Sequence, residues 1–199
     1  VPTGTIVINK DGEFLTDINL IKGHWYDFVF DYFKKSLAGV TFEVYAAEDI
    51  VSPDGLNTVY YAKDTLVAEI VTNDKGIASI ENLPLGKYYL IETKTLEGFV
   101  LDIEPIMADL SYVDQHTEVV YAGMEVTNER QKVQVTVIKT DAETKNTLEG
   151  AIFGLYAAED IVNGDGKIIV AKDTLVEKAV TGIDGKCVFL SDPVTGNDF

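Results

Sequence analysis

Gly39-Val-Thr-Phe-Glu-Val-Tyr-Ala-Ala-Glu-Asp-Ile-Val51 decides the reading of this chain, because it returns as Gly150-Ala-Ile-Phe-Gly-Leu-Tyr-Ala-Ala-Glu-Asp-Ile-Val162. Nine of the 13 positions are identical, at an offset of 111. Downstream, Ala62-Lys-Asp-Thr-Leu-Val67 recurs unchanged as Ala171-Lys-Asp-Thr-Leu-Val176, and Gly76 matches Gly185, now at an offset of 109. A period near 110 is too long for a solenoid, whose units run to about 20–50 residues, and it suits β-domains in tandem. The first copy is expected to fill residues 1–130 and the second residues 131–199. The second stretch is shorter, so that module is expected to be truncated before its last strands. The chain opens at Val1 without a Met and is read as a piece of a longer protein.

The pattern inside each copy is β. Thr5–Lys10, Phe42–Ala46, Tyr88–Thr93, Glu118–Asn128 and Val133–Lys139 are rich in Val, Ile, Thr and Tyr and alternate with period two. Turn signals separate such runs: Asp11-Gly12, Pro53-Asp54-Gly55, Asp74-Lys75-Gly76, Asp165-Gly166 and Asp184-Gly185. Short strands at this spacing predict an all-β, antiparallel sandwich of the Ig-like kind. Ala46–Ile50 and Ala157–Ile161 are expected to hold a helical turn at most.

Composition narrows the function classes. The 199 residues include 33 acidic and 16 basic side chains, a net charge of −17, which repels phosphate backbones and excludes a nucleic-acid partner. Hydrophobic residues make up 46%, enough for a packed core. No apolar run approaches the ~20 residues that span a bilayer, so no membrane insertion is expected in this segment. The single cysteine, Cys187, lies in a strand-like run and reads as a small buried hydrophobe. Neither His24 nor His116 forms a recognisable catalytic motif with it. A chain without disulfides is either cytosolic or stabilised outside the cell by other means.

Three polar residues stand on apolar faces. Residues two apart in a strand share a face. Ile6, Ile8 and Lys10 share one, as do Val133, Val135, Val137 and Lys139 in the second copy. Met124, Val126 and Asn128 share another, and Tyr88, Leu90 and Glu92 a third. A bland reading lets each of the three bend into water at its strand end, since Lys and Glu are rarely buried unless paired. The sharper reading has Lys10, Asn128 and Glu92 meet in the core. Burial favours a neutral lysine, which is a nucleophile, and a neutral glutamic acid, which can polarise an amide and shuttle protons. The expected outcome is attack of the Lys10 amine on the Asn128 side-chain carbon, loss of ammonia and an isopeptide cross-link.

The ordered set Ile6-Val-Ile-Asn-Lys10, Leu37-Ala-Gly-Val-Thr-Phe-Glu-Val-Tyr45, Leu83-Pro-Leu-Gly-Lys-Tyr-Tyr-Leu-Ile-Glu92, Glu97-Gly98-Phe99 and Val126-Thr-Asn128 resembles collagen-adhesin B-type modules. These are the prealbumin-like, isopeptide-forming SpaA-like domains of Gram-positive pilins and surface adhesins. The second copy continues the likeness in Val137-Ile-Lys139-Thr-Asp and Leu148-Glu-Gly-Ala-Ile-Phe-Gly-Leu-Tyr156. The resemblance implies Lys10 and Asn128 as the bonded pair and Glu92 as the catalytic acid, the residues that the face pattern brings together. It implies a structural or adhesive segment, extracellular and attached to a bacterial cell wall, not an enzyme beyond a single-turnover self-cross-linking. It implies other pilin subunits, or peptidoglycan reached through sortase, as partners. The Ala-Pro-x-Gly-Tyr that usually follows the family's glutamate is replaced by Thr95-Leu-Glu-Gly-Phe99.

About 18 extra residues separate Lys10 from Gly39 in the first copy. This insertion, at about 17–38, reads as an extra hairpin whose aromatics cover the sandwich. An alternative makes Trp25, Tyr26, Phe28 and Tyr32 the exposed binding surface of an adhesin tip, for a host protein or glycan. An accessory domain of a secreted enzyme is weaker still, for want of a catalytic constellation. Lys139 lacks its glutamate and asparagine within 199 residues, so it is expected to be unbonded, in a poorly ordered module. No cofactor and no metal are expected: Asn163-Gly-Asp-Gly166 set as a calcium loop would put Ile161 and Lys172 at ligand positions, and it reads instead as a hairpin turn. Lys63, after Val-Tyr-Tyr-Ala, faintly resembles a sortase-linkage lysine, but Lys172 repeats the position, which favours a structural role.

Overall fold

The computed structural model describes residues 2–20 and 28–190, with 18–20 and 28–29 described for their backbone alone. The regular structure there is all strand. In chain order the strands are β1 (Thr3–Leu20), β2 (Phe28–Ser36), β3 (Thr41–Ala46), β4 (Ile50–Val51), β5 (Val59–Tyr61), β6 (Leu66–Val71), β7 (Ile77–Leu83), β8 (Lys87–Lys94), β9 (Ile106–Asp109) and β10 (Val119–Asn128). They continue as β11 (Val135–Ile138), β12 (Ile152–Tyr156), β13 (Ile161–Val162), β14 (Ile168–Val170), β15 (Leu175–Val180) and β16 (Lys186–Phe189). The chain divides into two compact units, Val1–Glu13 with Lys34–Arg130, and Phe14–Phe33 with Gln131–Phe199.

In the first unit β7 lies antiparallel and β10 parallel to β1. A second sheet runs β6-β3-β8-β9, antiparallel throughout. Period-two alternation turns one side of each strand inward: Ile6 and Ile8, Phe42 and Val44, Tyr88 and Leu90 are all fully buried. Such aliphatic and aromatic side chains contribute about 1.5–3 kcal/mol each on burial. The parallel β1–β10 pair is the departure from an all-antiparallel reading. A parallel pair needs a long crossover rather than a tight turn, and here the chain traverses β2 to β9 between the two strands.

The expected helical turns are absent: 47–48 and 158–159 are bends. Their polar groups serve neighbouring strands instead. Ala47 N donates to Lys87 O at 2.9 Å, and Asp49 Oδ1 accepts from Lys63 N at 2.8 Å. Asp160 Oδ1 accepts from Lys172 N at 2.8 Å, so the Lys63 position recurs with its hydrogen bond.

Other bonds recur likewise. Lys10 N donates to Gly76 O and Lys139 N to Gly185 O, both at 2.7 Å. Leu37 N reaches Lys10 O, and Leu148 N reaches Lys139 O, both at 3.0 Å. The Thr72 hydroxyl donates to Leu37 O at 2.6 Å and accepts from Val40 N at 3.0 Å; Thr181 does the same with Leu148 O at 2.7 Å and Ala151 N at 2.9 Å. A valine at position 72 keeps the shape but leaves a buried N–H and C=O without this partner. Thr72→Val is therefore expected to cost about 1–3 kcal/mol, read as a lower urea midpoint at unchanged m-value.

The second unit has β11 against β16, β12 against β15 and β13 against β14. Residues 131–190 thus hold regular strands, contrary to the poor order expected of that module. Val137 pairs with Cys187 as Ile8 pairs with Ala78, which puts the buried Cys187 in the place of an alanine. Burial pushes its thiol pKa up and favours the unreactive protonated form. Asn163-Gly-Asp-Gly166 is a turn: Asn163 Oδ1 accepts from the backbone N–H of Asp165 and Lys167, each at 3.0 Å. Ala157, Val170 and Val176 form a small core, against which Phe30 of β2 packs. Gly164 N also donates to Leu15 O at 2.9 Å, and Asn163 Nδ2 to Thr16 O at 3.2 Å. The inserted segment therefore lends Phe30 to this core, and β1 just before it lends two backbone carbonyls to the 163–164 turn. Among the described residues, nothing in the second unit takes the places of β8, β9 and β10.

Candidate self-cross-linking site

Lys10 ends the Ile6–Ile8 stripe on β1, and Asn128 is the last residue of β10. The parallel register sets Lys10 beside Val126, so Asn128 lies two residues on, diagonal to Lys10 and on the same face. Glu92 comes from the other sheet, on β8, beside Phe42 of β3. The three side chains are 2%, 1% and 1% exposed for Lys10, Glu92 and Asn128. None of them bends into water.

Their contacts form a chain. Lys10 Nζ donates to Asn128 Oδ1 at 2.6 Å. Asn128 Nδ2 donates to Glu92 Oε1 at 2.6 Å and to Thr95 Oγ1 at 2.7 Å. Glu92 Oε2 stands 3.4 Å from Lys10 Nζ. Burial pulls the Lys10 pKa below the ordinary lysine value, and the attraction of Glu92 opposes that shift in part. The amine nitrogen is thus held against the amide group it would have to attack. An amine, an amide and a carboxyl meet where water is excluded. Those are the parts that amide exchange requires.

The backbone around Lys10 is fixed by a glycine. Gly76 has φ of +73°, and a Cβ there would come 2.3 Å from Lys10 O. Gly76→Ala is expected to destabilise the first unit by at least ~1–2 kcal/mol from the left-handed backbone alone, and further through the displaced Lys10 carbonyl. A calorimetric melt of the variant checks this.

The other candidates lie apart. Lys139 sits in the second unit with an exposed side chain. Trp25 and Tyr26 lie outside the described residues, as does the side chain of Phe28. Tyr32 is half-buried on β2. Among the described residues, no group of His, Cys, Asp or Glu is placed to hold a metal ion. Among the described residues, no helix is long and apolar enough to cross a membrane. The sequence reading missed the contact of Thr95 with Asn128; the only signal was the departure of 95–99 from the family pattern.

Residues 31–125 match the family described as the SpaA prealbumin-like fold domain, a stretch that includes Glu92 and stops short of Lys10 and Asn128. The chain is similar to the Bacillus anthracis TIE protein, at 25% identity over 94% of this chain and 26% of that one, with a TM-score of 0.54. A streptococcal ancillary pilin matches at 19% identity over 94% of this chain and 49% of its own, with a TM-score of 0.40. The shaft pilin SpaA of Lactobacillus rhamnosus GG matches at 20% identity over 94% and 81%, with a TM-score of 0.39. No curated protein matches the chain. Residues 31–125 are thus similar to a SpaA prealbumin-like fold domain, and the chain shares its fold with the Bacillus anthracis structure. The chain spans about a quarter of the first of these structures and about half of the second.

Proposed function

We propose that this chain is a load-bearing segment of a Gram-positive cell-surface pilus or adhesin, whose first module staples itself with a Lys10–Asn128 isopeptide bond. In this reading 1–130 is that module, with an insertion at about 17–38 of which the residues up to Phe33 group with the second unit, and 131–199 open a second module of the same kind. Its partners in this reading are further pilin subunits outside the cell. The observation that carries the proposal is the buried contact chain from Lys10 through Asn128 to Glu92.

The reaction balances without a co-reactant. Neutral Lys10 Nζ attacks Asn128 Cγ, Glu92 carries a proton from Nζ to Nδ2, the Cγ–Nδ2 bond breaks and ammonia leaves. The bond ties the first strand of the module to its last. Tension entering at β1 then passes to β10 through a covalent link, and the chain between the pair, a separation of 118 residues, is shielded. Force spectroscopy on the full chain tests this. The unmodified chain is expected to withhold roughly 400 Å of contour length, at ~3.3–3.6 Å per residue, which Lys10→Ala releases. Equal extension of both contradicts a load-bearing staple.

The depressed Lys10 pKa sets a pH dependence. The neutral amine reacts, so cross-linking is expected to accelerate as pH rises through the folded-state pKa and to level off below the pKa of a free lysine. The sign for the folded, unjoined chain is the same. Between the lowered pKa and 10.5 the unfolded chain holds a proton that the folded one does not, so stability rises with pH across that window. Timed acid quenching of newly made chain at several pH values reads the first effect. A rate that falls across the window contradicts attack by the neutral amine.

A further inference from the structure

Asn128 Nδ2 carries two hydrogens, and each meets an acceptor: Glu92 Oε1 at 2.6 Å and Thr95 Oγ1 at 2.7 Å. We propose that Thr95 is a catalytic residue of the Lys10–Asn128 reaction, whose hydroxyl oxygen holds the departing amide nitrogen in line with Glu92. The inference rests on the cross-linking reading above and deepens it.

Thr95 follows directly on β8, three residues after Glu92. The turn it opens is tied to the chain just beyond Asn128. Val100 N donates to Glu129 O at 2.8 Å, Phe99 bridges Arg130, and Phe99 N closes onto Leu96 O at 3.3 Å. The hydroxyl is thereby held against the amide by backbone on both sides, and it is half-buried.

The contact has two consequences. With Lys10 donating to Oδ1, and with Glu92 and Thr95 accepting from Nδ2, the amide has one satisfied orientation. The flipped amide would give up all three of these contacts. The second consequence comes during the reaction. As Lys10 Nζ bonds to Cγ, Nδ2 loses its conjugation with the carbonyl and becomes a pyramidal amine free to rotate. A hydrogen bond kept to Thr95 Oγ1 stops that rotation and turns the new lone pair toward Glu92. Glu92 there delivers the proton taken from Nζ, and the Cγ–Nδ2 bond breaks to release ammonia. Thr95 itself gains and loses no bond. An apolar side chain at 95 would leave one N–H of the leaving group without this acceptor.

The test is timed cell-free synthesis of the full chain, quenched in acid, with intact mass reporting the fraction that has lost ammonia. Thr95→Val keeps the branched shape and removes the acceptor. It is expected to slow the reaction about three- to tenfold, the value of one neutral hydrogen bond, and Thr95→Ser is expected to restore the rate. Lys10→Ala/Thr95→Val is expected to melt below Lys10→Ala by no more than the few degrees that one lost hydrogen bond costs, which shows that the valine leaves the fold intact. A Thr95→Val chain that matches the unmodified rate overturns the role of Thr95 and leaves the cross-link standing. So does a double variant that melts well below Lys10→Ala, since Thr95 would then be structural. An unmodified chain that keeps its ammonia overturns the cross-link itself.

Discussion

Replacing Glu92 with alanine is expected to yield a chain in which Lys10 and Asn128 stay unjoined. The attack on Asn128 Cγ needs a proton moved from Nζ to Nδ2, and Glu92 is the buried carboxyl that touches both nitrogens, at 3.4 Å and 2.6 Å. A positioned proton carrier contributes about 10²–10⁴-fold, so Glu92→Ala is expected to slow the joining by that factor. The same change strands a buried lysine. Removing one partner of a buried ion pair costs about 3–5 kcal/mol, which adds to the loss of the staple. Glu92→Gln separates the two effects, because it keeps the shape and an acceptor oxygen but cannot take up and hand on a proton. It is expected to fold better than Glu92→Ala and to remain equally unjoined by intact mass. Cross-linking at the unmodified rate in either variant would show that Glu92 is not the proton carrier.

The second large effect is thermal. Lys10→Ala and Asn128→Ala each remove a tie that closes a loop of 118 residues. On the chain-entropy model that tie is worth about 4–5 kcal/mol. A chain of this length shifts by about 2–4 °C per kcal/mol, so each variant is expected to melt roughly 10–20 °C below the unmodified protein. The decisive comparison is the double variant. If both residues act through one bond, breaking it twice costs little more than breaking it once, and the double variant melts close to the worse single one. Additive losses contradict a shared covalent link, because independent sites add while one bond does not. Calorimetry on the four proteins gives the cycle.

The site was legible because it obeys the rule that made the fold legible. Period-two alternation assigns inner faces without coordinates. Along β1, β8 and β10 the inner face ends in Lys10, Glu92 and Asn128, which the structure buries at 2%, 1% and 1% exposure. What the alternation cannot give is partnership across the molecule. That β10 returns parallel to β1, and sets Asn128 diagonal to Lys10, depends on where the chain crosses between sheets. The Thr95 contact escaped the sequence for a related reason. Thr95 lies just past the strand, in a turn whose position is set by backbone bonds to Glu129 and Arg130, and no periodicity governs it. The hairpin shows a third limit. Its aromatics were visible, but that Phe30 rests on Ala157, Val170 and Val176, more than 120 residues on, is a tertiary fact that no local pattern encodes.

The central claim is covalent, and the most direct measurement of it is the intact mass of the purified, unreduced chain. A cross-linked protein weighs one ammonia less than its sequence, and digestion releases the Lys10 peptide joined to the Asn128 peptide. Lys10→Ala, Asn128→Ala and Glu92→Ala are each expected to weigh their full sequence mass. Full sequence mass in the folded, unmodified protein would contradict the staple, and with it the reading of Lys10, Glu92 and Asn128 as a reactive set.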